Sequence, residues 1–226
     1  MAHLLDIHTV ANMTVIVMAH NKGGAGKTTS AVHVAGELKP AKALDLDTHK
    51  GLSIIHGLRP EERQIPISIP ETQEELVQEI SPFKDSNDIL FIDCGGFDSD
   101  MTRTAVAFAD LIIVPAKDSL TERIGLMSFD RVLGEISEII GQHVEAHLFL
   151  CKTNPNKKHY PKLEALLPSF NHIKLMKSRL SYRTQDFEET IETGFGITES
   201  VHGRVTAGGK EVISMVEEML EIIQSK

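Results

Sequence analysis

Cysteine is scarce: Cys94 and Cys151 are the only two in 226 residues, far apart and outside any Cys-x-x-Cys arrangement. That excludes a disulfide framework and a shared iron-sulfur cluster, and leaves reduced, buried thiols as the expectation. The eleven histidines are scattered, with no His-x-x-x-His and no grouping with cysteine, so no zinc site is predicted. No apolar run approaches the roughly 20 residues that cross a bilayer, and the start has neither the basic region nor the long apolar segment of a secretory signal. A cytoplasmic protein without a membrane partner is expected. Proline, glycine and serine never concentrate into a linker, so residues 13–226 read as one domain. Residues 1–12 read as an N-terminal extension, loose or added, because Met13 itself looks like a natural start. Positive charge is also in deficit, 23 Lys and Arg against 32 Asp and Glu, for a formal net charge of -9. Such a balance counts against nucleic acid as a partner unless the basic residues are gathered in one place.

What is present begins with a glycine-rich loop. Residues 13–19 (MTVIVMA) form a continuous, partly β-branched apolar run of strand length, and residues 29–38 carry apolar side chains at helical spacing. Between them runs His20-Asn21-Lys22-Gly23-Gly24-Ala25-Gly26-Lys27-Thr28-Thr29. A loop between strand and helix is where a polyphosphate cradle has to lie. Gly23, Gly24, Ala25 and Gly26 let the backbone wrap with its amides inward, and Thr28 and Thr29 open a helix whose free N–H groups and positive dipole end meet the anion. Lys27 adds a mobile charge for the outer phosphates, and Thr28 places a hydroxyl where Mg2+ is ligated.

The usual Gly-x-x-x-x-Gly-Lys-[Ser/Thr] pattern is not met, because Asn21 stands in the place of its first glycine; a second lysine, Lys22, precedes the glycines. Lys22-Gly23-Gly24-x-Gly26-Lys27-Thr28 resembles the deviant phosphate loop, or deviant Walker A motif, of the ParA/MinD family of ATPases. A chance match to those six fixed positions in a chain this long is on the order of 10^-5. The resemblance implies a three-layer α/β fold of the SIMIBI type of P-loop NTPase, with a mostly parallel sheet and helices on both faces. It also implies an ATP-bound homodimer in which Lys27 serves its own nucleotide and Lys22 reaches the partner's.

Later signals fit that frame. Residues 41–46 read as a second strand ending in Asp45-Leu46-Asp47. In the family an Asp-x-Asp opens the first switch and its second carboxylate, here Asp47, orients the attacking water; Thr48-His49-Lys50-Gly51 replaces the usual Pro-Gln-Gly continuation. His49 is the one histidine near the chemistry, and it reads as a switch-loop residue. Residues 88–93 (DILFID) read as a buried strand ending in a carboxylate, the Walker B arrangement that sets Asp93 beside Thr28 to bind Mg2+. Cys94-Gly95-Gly96-Phe97 then looks like the second switch. The periodicities predict a short helix or turn over 51–58 and further helices over 71–80, 101–108, 120–140 with Ser119 as its cap, 160–167, 182–193 and 210–223. They predict further strands over 111–114, 144–151 and 173–176, with 65–69 at best an edge strand. No Asn-Lys-x-Asp guanine reader follows residue 151, so adenine is preferred and Asn154 is the candidate base contact.

The positive charge is in fact gathered. From Cys151 to Arg183 eight Lys and Arg are opposed only by Glu164. Lys174, Lys177, Arg179 and Arg183 cluster around the last predicted strand and are the candidate contacts to DNA phosphates. The final amphipathic helix has glutamates on its polar face, whereas a membrane-targeting helix needs a basic one. The resemblance is therefore nearest to the small plasmid-type ParA partition ATPases. It implies slow, partner-stimulated ATP hydrolysis, nonspecific DNA binding on the nucleoid and a ParB-like centromere-binding partner. Two other readings stay open: a MinD-like positioning ATPase at a membrane or protein scaffold, and a dethiobiotin-synthetase-like ATP-using enzyme.

Overall fold

The computed structural model describes residues 14–84, 86–96 and 98–225. The N-terminal extension, Met13 of the first predicted strand and Phe97 of the predicted second switch lie outside them. Seven strands, all parallel, form one sheet in the order β3-β2-β4-β1-β5-β6-β7. They are β1 (Thr14–Met18), β2 (Lys42–Leu46), β3 (Ile67–Ser68), β4 (Ile89–Cys94), β5 (Leu111–Ala116), β6 (Ala146–Thr153) and β7 (Ile173–Ser181). A parallel sheet must be covered on both faces, which is why β1, β4 and β5 are apolar almost without interruption. Alternate residues serve opposite cores: Val15 and Val17 of β1 point to one, Ile16 and Met18 to the other.

The first core is closed by α3 (Gln73–Ile80), α4 (Asp100–Ala107) and α5 (Leu120–Ile140), which supply Leu76, Val106, Leu126 and Phe129 among others. The second is closed by α1 (Lys27–Leu38), the short α2 (Gly51–His56) and, from the far end of the chain, α9 (Ala207–Gln224). Between β6 and α9 lie three brief helices, α6 (Pro161–Glu164), α7 (Glu189–Ile191) and α8 (Val201–Val205). Ser119 caps α5 as its sequence position suggests, its hydroxyl accepting from the Glu122 N–H, and Gly141 ends the helix at φ 69°.

Three elements depart from the periodicity. β7 runs through Ser181 rather than stopping near residue 176, because carboxylates of α9 take over part of its pairing. The Lys177 and Ser178 N–H groups donate to Glu218 and that of Ser181 donates to Glu211, alongside register shifts against β6. The predicted helix at 182–193 is a π-helical turn, Thr184–Glu188, followed by α7. The turn presents the Phe187 carbonyl to His33 of α1 and the Asp186 carboxylate to the N–H of Gly208 in α9. The predicted helix at 160–167 shrinks to α6 and a 3-10 turn, Leu167–Ser169, since Pro168 disfavours helical backbone at the residue before it.

His33 is fully buried and bonded at both ring nitrogens. Nε2–H donates to the Phe187 carbonyl at 3.0 Å, and Nδ1 accepts from the Ile197 N–H at 3.1 Å. Burial lowers its pKa from 6.5 to about 4. The native state therefore keeps it neutral while the unfolded chain binds a proton, so its share of stability is whole above pH 6.5 and is lost as pH falls toward about 4. The loss approaches about 1.4 kcal/mol per pH unit across that window. Urea unfolding between pH 7 and 4.5 is expected to show a shallower acid loss in His33→Gln, which keeps a donor and an acceptor and does not titrate.

Candidate functional site

The loop sits between the C-terminal end of β1 and the first turn of α1, with Gly24 at φ 73° and Gly26, the residue that caps α1, at φ 96°. Those left-handed positions are what bend the backbone into a cup at the helix N-terminus. Behind the cup, the Cys151 thiol donates to the Ala25 carbonyl at 2.9 Å. Burial pushes that thiol up to about 12, so it is a buttress and not a nucleophile. In front, Gly96 of the second switch region comes so close that a Cβ there would lie 2.8 Å from Cα of Gly23. Only glycine allows that approach.

The open cleft over the loop has a volume of about 450 Å³ and is lined by Gly23, Gly24, Gly26, Lys27, Thr28, Thr29, Asp47, Thr48, His49, Gly96 and Lys152. Its size suits a nucleotide polyphosphate. Lys27 is almost fully buried and its Nζ donates to the Lys22 carbonyl at 3.0 Å. Burial lowers the Lys27 pKa, and Asp93 and Asp47 oppose the shift. Sheet register explains how the carboxylates gather: Asp93 pairs with Met18 of β1 on one side and Asp45 of β2 on the other.

Those three aspartates are not equivalent. Asp45 is buried and saturated, accepting from the N–H groups of Asp47 and Ser53 and from the Ser53 hydroxyl, so it pins the start of α2. Asp47 is part-exposed at the cleft, its Oδ1 accepting from the His49 N–H and from no other donor among the described residues. Asp93 is buried, and neither of its oxygens has a hydrogen-bond partner among the described residues. Burial, reinforced by Asp45, raises its pKa well above the usual carboxylate range. A buried carboxylate with no well-formed hydrogen bond, beside the Thr28 hydroxyl that interacts with it and a phosphate cup, has the oxygen donors that Mg2+ takes together with phosphates and water. The residues present fit that ion.

Lys22 does not line the cleft. Its Nζ donates to Oε1 of Glu122 at 2.6 Å and to the Thr121 hydroxyl at 2.9 Å, both on the first turn of α5. Glu122 is buried, and its second oxygen lies 3.5 Å from Nε2 of His20. Neither Glu122 nor His20 stands out in the sequence. Ser119-x-x-Glu122 has the form of a capping box, and only the fold shows that the glutamate is turned toward the loop.

Beside the loop, at the C-terminal ends of β6 and β7, a narrow apolar slot is formed by Thr29, His33, Cys151, Leu180, Tyr182 and Phe187, among others. Asn154 does not line it; it lies in an exposed turn where its Oδ1 accepts from the Asn156 N–H. The four basic residues of β7 and its end are not brought onto one surface. Lys174 pairs with Glu145 at 2.7 Å and Arg183 with Glu211 at 2.9 Å, at opposite ends of roughly 30 Å of strand. Arg179 donates to the carbonyls of Pro155 and Lys157, while Lys177 stands exposed.

A family model described as ATPase MipZ matches residues 41–139. The protein ParA of Rhizobium radiobacter is 28% identical over 178 residues, covering 76% of this chain and 80% of that protein. Among solved structures, an ATP complex of McdA from Cyanothece superposes with a TM-score of 0.71 at 13% identity, over 93% of this chain and 97% of that one. The MinD cell division protein of Aquifex aeolicus superposes with a TM-score of 0.65 at 14% identity, over 92% and 97%. At those identities the superpositions establish the fold, while the sequence matches and the two-lysine loop make the chain similar to ATPases of the ParA/MinD type.

Proposed function

We propose that this protein is an ATP-dependent dimerising switch that acts in plasmid or chromosome DNA partition. ATP binds with Mg2+ in the cleft over the loop and brings two subunits face to face. The dimer binds DNA without sequence preference on the nucleoid, and a ParB-like centromere-binding protein stimulates slow hydrolysis that resets it. The observation that carries this reading is the division between the two lysines. Lys27 is buried under its own cleft, whereas Lys22 turns away from it to Glu122. A lysine with no role toward its own nucleotide is suited to neutralise phosphate charge on a second copy, which makes nucleotide state and dimerisation one switch. Bound Mg2+ would be held by Thr28 and Asp93 and would neutralise charge on the phosphates. Asp47 would orient the water, with Gly23, Gly24, Ala25, Gly26 and Thr29 shaping the anion cup and Asn154 reaching toward the base.

Sizing of the protein with and without ATP, in parallel with binding to random duplex DNA, tests the reading. ATP-dependent dimers that retain DNA support it, and a monomer at every nucleotide state refutes it. A MinD-like membrane role has less support, because the apolar face of α9 is spent on the sheet. The DNA interface is assigned to Lys174, Lys177, Arg179 and Arg183. Lys174 and Lys177 are the pair to test first, since both stand exposed, Lys174 despite its pairing with Glu145, while Arg179 holds a loop and Arg183 is half-buried against Glu211. Removing one lysine–phosphate interaction lowers the salt slope of log affinity by about 0.9. Lys174→Glu with Lys177→Glu is therefore expected to flatten the slope by about 1.8 without altering ATP-driven dimerisation. An unchanged slope removes these lysines from the interface.

A further inference from the structure

The ion pair that withholds Lys22 raises a question of charge. Glu122 is 1% exposed and His20 is 0% exposed, so neither can exchange its protein partners for water where it stands. Among the described residues, Lys22 is the one lysine or arginine bonded to Glu122. The second Glu122 oxygen and both His20 ring nitrogens are buried without a hydrogen-bond partner among the described residues. His20 is wedged in place: its ring stacks on Phe129, and a Cβ on Gly125 would lie 2.9 Å from its Cε1. If Lys22 moves to another subunit's nucleotide, Glu122 is left as a bare buried carboxylate, a state that is strongly unfavourable. Something must replace the missing positive charge.

We infer that His20 is the replacement: Lys22 leaves Glu122 as a proton enters the His20–Glu122 pair, so formation of the ATP dimer takes up as much as one proton per subunit as the solution becomes acidic. This rests on the dimer proposed above. The proton comes from solvent and resides on the imidazole, giving an imidazolium next to the Glu122 carboxylate in place of the lysine ammonium. Other charges facing the pair are few. Lys27, from the start of α1, and Lys22 disfavour the imidazolium, and Cys151, from β6, stays a neutral thiol. With Lys22 in place, burial and then Lys27 and Lys22 lower the His20 pKa to about 3, so the ring is neutral in the resting subunit. Departure of Lys22 removes one of the repelling charges and leaves the attraction of Glu122 unopposed, and both changes favour protonation. His20 and Glu122 are thus positioning residues for Lys22; neither lines the cleft.

Two measurements test this. Histidine NMR of the nucleotide-free protein does not depend on dimerisation. Lys22→Met, and Lys22→Gln as a variant that keeps a donor for Glu122, are expected to move His20 titration up by roughly 1–3 pH units, and adding Glu122→Gln should cancel the rise. A His20 resonance that does not move in either lysine variant overturns the proposal. In the second measurement, the association constant of the ATP dimer is followed from pH 7 to 4.5. It is expected to rise as pH falls, steepening toward about a hundredfold per unit for two protons once pH is below the raised His20 titration, and His20→Asn should abolish that dependence. A dimer whose affinity ignores pH, or whose pH dependence survives in His20→Asn, also overturns the proposal. Absence of any ATP dimer would instead count against the partition switch, leaving the NMR result to decide the role of His20.

Discussion

Replacing Asp47 by alanine is expected to leave ATP bound and the dimer formed while slowing hydrolysis by about 10^2- to 10^4-fold, the usual contribution of a group that positions or deprotonates a nucleophile. The fold explains why Asp47 and not Asp45 is the residue to change. Asp45 is saturated by Ser53 and the Asp47 N–H, and its loss would release the start of α2. Asp47 faces the cleft with one oxygen committed to the His49 amide and the other available to water. Single-turnover hydrolysis, with sizing of the species that accumulates, checks the expectation. Near-parental turnover in Asp47→Ala would take the catalytic role away from this carboxylate.

Lys27→Ala is expected to weaken ATP binding by about thirtyfold or more, since truncating one member of a buried, hydrogen-bonded charge pair costs about 2 to 5 kcal/mol. Its ammonium is buried under the cup, hydrogen-bonded to the Lys22 carbonyl. Lys22→Ala is expected to behave differently, keeping most of the ATP affinity but failing to dimerise or to turn ATP over. Calorimetric titration of nucleotide into each variant, alongside sizing, separates the two lysines. Equal loss of affinity in both would show that they act on the same nucleotide.

How much of this can be read from the chain alone depends on how local the cause is. The loop is written in ten consecutive residues whose glycines and lysines have no comparable use elsewhere, and the strand before it and the helix after it follow from simple periodicity. Asp93 is visible for the same reason, as a charge at the end of an apolar run. The different states of Asp45 and Asp93 are not visible, because they come from the pairing of β2 with β4 and from a serine eight residues past Asp45. Nor is the length of β7, which is completed by glutamates of α9 some 30 to 40 residues further on. The partner of Lys22 lies 100 residues away on a helix whose visible pattern concerns only its own cap and core. Net charge misleads in a similar way: acids remote in sequence, among them Asp118, Glu145 and Glu211, fold onto the basic segment and neutralise much of it.

The strand order has a consequence for how the nucleotide site comes into being during synthesis. β1, which leads into the loop, has β4 and β5 as neighbours and never touches β2. The loop is thus among the first parts of the described chain to leave the ribosome, yet its floor and walls arrive late: Asp93 and Gly96 with β4, Glu122 with α5, Cys151 with β6. Until about two thirds of the chain has emerged, the residues that hold the loop do not exist beside it. The cup in its folded geometry therefore takes shape only once most of the sheet is in place.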